Sequence, residues 1–165
     1  MEQRELAQSL RRRLNDQAVD VERLAREALE AFESGGRAEL VRWLTLELEG
    51  YGAVAGGAPL DAILGVKQGD RLVVHVSAYR LHAGQVVGPS ALLGPSFQHF
   101  FVESLHDVAA ASQRVRSASP APIRLDFGPG IPNYPTALAF PADVFDRILL
   151  GFRAVLHLEL GNLAT

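Results

Sequence analysis

The stretch "WLTLELEGYG", Trp43 to Gly52, reads as the last turns of an amphipathic helix running into a glycine stop. Working back from it, Leu40, Trp43, Leu44 and Leu48 fall at i, i+3, i+4 and i+8, one apolar stripe of a helix that begins near Arg37. Gly50 stands where a left-handed residue ends a helix. Tyr51 just beyond is placed to fold back onto Leu46, the hydrophobic contact of a Schellman ending. Both charges in the final turn, Glu47 and Glu49, are nevertheless acids, where the carbonyl end of a helix favours lysine or arginine by a few tenths of a kcal/mol each. Geometry separates the two: Glu47 lies beside the stripe, one turn from Trp43 and from Tyr51, whereas Glu49 points about 200° away into solvent. Glu47 therefore needs a partner.

Outward from this helix, the first third of the chain continues the same pattern. Leu6, Leu10 and Leu14 mark helix one, with Asn15 and Asp16 as its stop and a new cap. Val21, Leu24, Ala25, Ala28, Leu29 and Phe32 mark helix two, up to the Ser34–Gly36 break. After Gly52 the texture changes. "GAVAGGAPL" is a small-residue connection, "DAILGV" offers a helical turn, and "RLVVHVSAYRLHAGQVVG" is Val- and Tyr-rich and broken by glycine, which predicts two or three short strands. Phe97 to Val115 predicts a fourth helix, "IRLDF" and "TALAF" two more strands, and Pro141 opens a closing helix that ends at Gly161. The expectation is α+β: an N-terminal helical hairpin or small bundle (1–52) packed on a small, mainly antiparallel sheet (53–140, with one helix), closed by a C-terminal helix (141–162) in a single domain of 165 residues.

Composition excludes several classes. The hydrophobic fraction of 48%, the charged fraction of 21% and the net charge of -3 describe a soluble globular chain and do not suggest nucleic acid. With no cysteine there is no disulfide, thiolate or cysteine-based metal site, which suits the cytoplasm. The amino end lacks the roughly 7 to 15 apolar residues of a signal sequence. No stretch approaches the roughly 18 to 20 needed to span a bilayer, so no membrane is expected. Fifteen of the 16 basic residues are arginine, a bias that makes any single arginine a weak signal.

Chemistry is thinly marked. No nucleophile elbow, phosphate-binding loop or dinucleotide fingerprint occurs, and no cofactor is implied. The "DFG" at 126–128 is a strand-to-turn signal. His99, Glu103 and His106 would share one face if Phe97 to Ala111 were helical and could then present three ligands to a divalent metal, giving a small metal-dependent hydrolase or nuclease as the rival reading. Against it stands the plainer reading of a solvated polar face. His75 and His157 make weaker claims, as a histidine in a strand and one on the closing helix.

The opening stretch also resembles the W-x-x-x-E-L-x-G-Y signature of the AbiTii domain family, with Trp43, Glu47, Leu48, Gly50 and Tyr51 at its positions. "AYRLHAGQVVG" is similar to that family's Tyr-Arg segment through Tyr79 and Arg80, and "FDRILLGFRAVLHLELGN" to its closing helix through Leu156, Leu158 and Glu159. The chain departs from the family in lacking a proline before Tyr79, in the unplaced segment 60–76, and in "GPSALLGPS", which replaces an Asn-Pro-Tyr-like element. The resemblance implies a cytoplasmic bacterial protein of an abortive-infection or anti-phage conflict system. Its role would be that of a non-catalytic adaptor, trigger or regulatory domain that binds a protein partner, with self-association as a homo-oligomer open to its amphipathic helices. On this reading Arg80 is the expected partner of Glu47, tying the helical third to the sheet.

Overall fold

The structure is a computed structural model that describes residues 2–52, 71–82, 85–89, 97–117, 123–127 and 136–164, with side chains for 3–52, 71, 100–117 and 140–164. Five helices are present among the described residues: α1 (Glu2–Leu14), α2 (Val21–Ser34), α3 (Ala38–Glu49), α4 (Leu105–Arg116) and α5 (Val144–Ala164). Two of them are capped by side chains. Asp20 caps α2, its Oδ1 accepting the backbone N–H of Glu22 at 2.8 Å, so the cap expected at Asp16 lies four residues further on. Ser104 caps α4 by accepting from the Asp107 N–H at 3.2 Å.

The helices bury their stripes against each other. α1 packs along α5, α2 bridges α1 and α3, and α4 lies on α5 and reaches α2 and α3. The main cluster joins Leu10 of α1, Leu24 and Phe32 of α2, Trp43 of α3, Leu105 of α4 and Phe152 of α5. Trp43 and Phe152 meet with ring centroids 5.5 Å apart. On α1 the buried line is Ala7, Leu10 and Leu14, while Leu6, expected on it, is 38% exposed. The small Ala7 and, on α5, Gly161 and Ala164 are among the residues that let these two helices approach. Gly161 does not end α5, which runs on to Ala164.

Backbone pairing also forms antiparallel strands: β1 (Leu72–His82), β2 (Gln85–Pro89), β3 (Phe97–Phe100), β4 (Ile123–Phe127) and β5 (Thr136–Phe140). Their order is β2-β1-β5-β4, with β3 on the first half of β1, where Leu72 faces Phe100. These strands do not rescue the α+β expectation, which is overturned by where the core lies. Among the residues with described side chains the folded body is helical, its helices packing on helices rather than on a sheet. Of the strand residues whose side chains are described, Phe140 packs beside Phe101, Val108, Phe145 and Ile148, and Phe100 beside Tyr51. The physical reason is that, among the described residues, the helical stripes bury their apolar side chains chiefly against one another. The segment 97–115 is corrected too: it is β3, a four-residue link and α4, not one helix. The expected connection 53–60 and helical turn 61–66 lie outside the described residues.

Candidate functional site

The signature residues converge inside the molecule. Glu47 is 2% exposed and is met by Arg71, at 1%, which stands directly before β1. Arg71 Nη2 donates to Glu47 Oε2 at 2.6 Å, and Nε donates to Oε1 and Oε2 at 3.1 and 3.0 Å. The Tyr51 hydroxyl adds a bond to Oε1 at 2.7 Å. Arg71 then turns its Nη1 to the carbonyls of Phe101 at 2.9 Å and Glu103 at 2.7 Å, and its guanidinium lies 5.0 Å from the Tyr51 ring centroid. Acid and base are thus neutralised as a pair, and three chain segments are tied at one point.

The helix end is built for this clamp. Gly50 has φ +92° and donates its N–H to the Leu46 carbonyl at 2.8 Å. The next donor, the Tyr51 N–H, leaves the helix and bonds the Val102 carbonyl at 2.7 Å, so the ending is not the Schellman turn expected. A Cβ on Gly50 would stand 3.0 Å from that same Val102 oxygen. Tyr51 packs edge-on against Phe100 at 5.2 Å and shares its cluster with Leu46. Burial pushes the Tyr51 phenol pKa up, and the adjacent Glu47 charge pushes it further. Arg71 opposes the rise, as does the Trp43 indole, which leans toward the phenol. The Trp43 N–H itself makes no hydrogen bond of good geometry among the described residues.

The expected partner, Arg80, is therefore replaced by Arg71. Arg80 lies in β1 opposite Gly88 and Thr136, next to Tyr79 opposite Pro89 and Ala137; the side chains of both lie outside the described residues. Of the closing-helix residues, Leu156 is in the core, Glu159 is buried with its carboxylate 4.0 Å from Arg37, and Leu158 is 61% exposed. Leu48 packs at the edge of the core, and Glu49 is exposed as its helical angle required. The metal candidates fall on different elements: His99 stands in β3 opposite Val73, its side chain outside the described residues, Glu103 in the link, and His106 on α4. His106 Nδ1 meets Glu22 of α2 at 3.1 Å. The helical face that would have presented the three together does not exist, because β3 pairs with β1.

Sequence reasoning missed Arg71. Its signal was indirect: a buried acid demands a base, but nothing among the 15 arginines singled out the one 24 residues away.

A second feature is exposed. A groove of about 610 Å³ runs between the 17–22 stretch, α4 and the first half of α5. Ala109, Ala110, Leu149 and Leu150 contribute its apolar part, among polar residues that include Gln17, Gln113 and Arg153. Ion pairs stand at its rim: His106 with Glu22, and Arg116 with Asp146 at 2.9 Å, where the Ser112 hydroxyl also donates to Asp146. Arg26 first and His106 second hold the Glu22 carboxyl below its ordinary pKa. Burial works to raise Asp146, but Arg116 and Ser112 more than offset it. An open groove of mixed polar and apolar lining, its charged groups already paired with one another, suits contact with a segment of another protein better than it suits bond chemistry.

Comparison with family models, with curated proteins and with solved structures finds no match to this chain. No helix among the described residues is long and apolar enough to cross a membrane.

Proposed function

We propose that this protein is a non-catalytic adaptor, trigger or regulatory domain of a bacterial anti-phage or abortive-infection conflict system, cytoplasmic, and acting through contact with a protein partner. One observation carries the non-catalytic reading. The polar atoms of the signature, Glu47 and Tyr51, are spent on Arg71, and the three side chains are 1 to 2% exposed. A buried carboxylate that accepts from three donors, two on Arg71 and one on Tyr51, is closed to a substrate, and a phenol held protonated is no nucleophile. The conflict-system setting rests on the signature at Trp43, Glu47, Leu48, Gly50 and Tyr51. The groove beside α4 supplies the surface on which a partner segment is read.

The test is a phage challenge of bacteria carrying the gene together with its flanking genes. Plating efficiency should fall when the set is intact and recover when this chain is deleted. Recovery is also expected with Ala110→Arg, which fills the groove and leaves the clamp untouched. Protection that survives deletion of this chain sinks the proposal; protection that survives Ala110→Arg moves the contact elsewhere.

A further inference from the structure

The 21-residue helix α5 buries one side in the core and leaves a self-complementary stripe on the other. At 100° per residue, Arg147, Leu150, Ala154, Leu158 and Gly161 fall within about 40° of one line along the helix, with Asp143 one turn before them. Leu150 is 50% exposed and Leu158 61%, and Ala154 between them is exposed as well. Leucines four residues to either side of an alanine form a palindrome, which antiparallel apposition of two identical helices satisfies with a two-fold axis at the alanine. One end carries a cation and the other an ion pair with an exposed carboxylate. Arg11 of α1 lies across Gly161, where a Cβ would come within 3.3 Å of its Cζ, and its Nε is buried with no hydrogen-bond partner among the described residues. At the opposite end stands Asp143, its side chain 63% exposed and 3.5 Å from Arg147.

We propose that a second copy of this chain docks on that stripe, α5 against α5 and antiparallel. Leu150 of each copy packs on Leu158 of the other, Ala154 meets Ala154, and Arg11 of each copy, lying on Gly161, meets the other's Arg147–Asp143 ion pair, whose carboxylate serves both guanidinium groups. The arrangement goes beyond the adaptor reading and does not depend on it. Arg147, poorly placed at the positive end of its own helix, comes to lie beside the carbonyl end of the facing one. A single pair of helices buries less than the roughly 1,200 Å² typical of stable complexes, so the dimer is reversible and concentration-dependent.

The chain has no cysteine, which makes a direct test available. A154C should form a covalent dimer under mild oxidation, whereas R42C, exposed on α3 and away from the stripe, should not. Sedimentation equilibrium of the unmodified full chain should show self-association, weakened about tenfold or more by Leu158→Glu. That variant changes an exposed position, and an unchanged thermal midpoint will confirm its fold. The assignment is overturned if the full chain is monomeric at every concentration, if A154C cross-links no faster than R42C, or if the dimer survives Leu158→Glu.

Discussion

At the scale of single residues, Glu47 works against its own helix and for the molecule. Its charge opposes the dipole of α3 by a few tenths of a kcal/mol, but it neutralises Arg71, which would otherwise be a buried cation. Removing one member leaves the other uncompensated, so Glu47→Ala should cost about 3 to 5 kcal/mol. Replacing both, as Glu47→Leu with Arg71→Met, should cost much less than Glu47→Ala alone, because no charge is then left behind. Urea unfolding of the single and double variants checks this, and an additive double variant would mean the two do not interact. Tyr51 adds a pH dependence. Its pKa is raised by burial first and by Glu47 second. The unfolded chain therefore releases the phenolic proton from about pH 10 upward while the folded chain retains it. The contribution is complete below that pH and is lost as pH rises beyond it. Alkaline destabilisation starting near pH 10 should be smaller in Tyr51→Phe, which would itself be less stable at neutral pH by about 1 to 3 kcal/mol through the lost bond to a charged acceptor.

At the scale of elements, the ends of helices determine where the chain turns. Gly50 meets two requirements, a positive φ and close backbone approach to Val102. Gly50→Ala offends both and should lose about 1 to 3 kcal/mol. Asp20→Ala removes only a cap, a loss of about 1 kcal/mol. Denaturant midpoints should fall in that order with unchanged slopes. The three N-terminal helices were legible from apolar spacing and glycine breaks, because a stripe at a 3.6-residue period is a local signal. The boundary at Asp20 was misplaced since Asn15 and Asp16 are equally good caps in isolation. Asp16 is occupied instead with the turn that follows α1, its Oδ1 accepting the Ala18 N–H at 2.9 Å. The break between His99 and His106 was not legible at all: a pattern that permits a helix is overridden when its first residues pair with β1.

At the scale of the whole molecule, distant segments are joined by a few polar contacts that no spacing rule reveals. Arg153 of α5 holds the turn between α1 and α2, donating to the carbonyls of Leu14 at 3.1 Å, Asp16 at 3.2 Å and Val19 at 2.6 Å. Burial lowers its pKa, with Asp16 and Asp20 acting the other way. Arg153→Met keeps much of the packing and orphans the three carbonyls. Amide exchange across 15–20 should accelerate and the thermal midpoint should fall; unchanged exchange would show that the turn holds itself. The groove depends on the same turn, since 17–22 forms one of its walls.

The sequence by itself determined the amphipathic helices, the glycine stop at Gly50, and the need of Glu47, but not Glu49, for a partner. Each follows from the period of a helix or the chemistry of its end, and both are local. Only the tertiary structure decided that the partner is Arg71 rather than Arg80, that among the described residues the helices pack on one another, and that His99, Glu103 and His106 fall on different elements. Those outcomes depend on which apolar faces and which charges meet across long stretches of chain. With 15 arginines and several equivalent stripes, the sequence offers many such pairings. Close packing and the cost of an uncompensated buried charge select one.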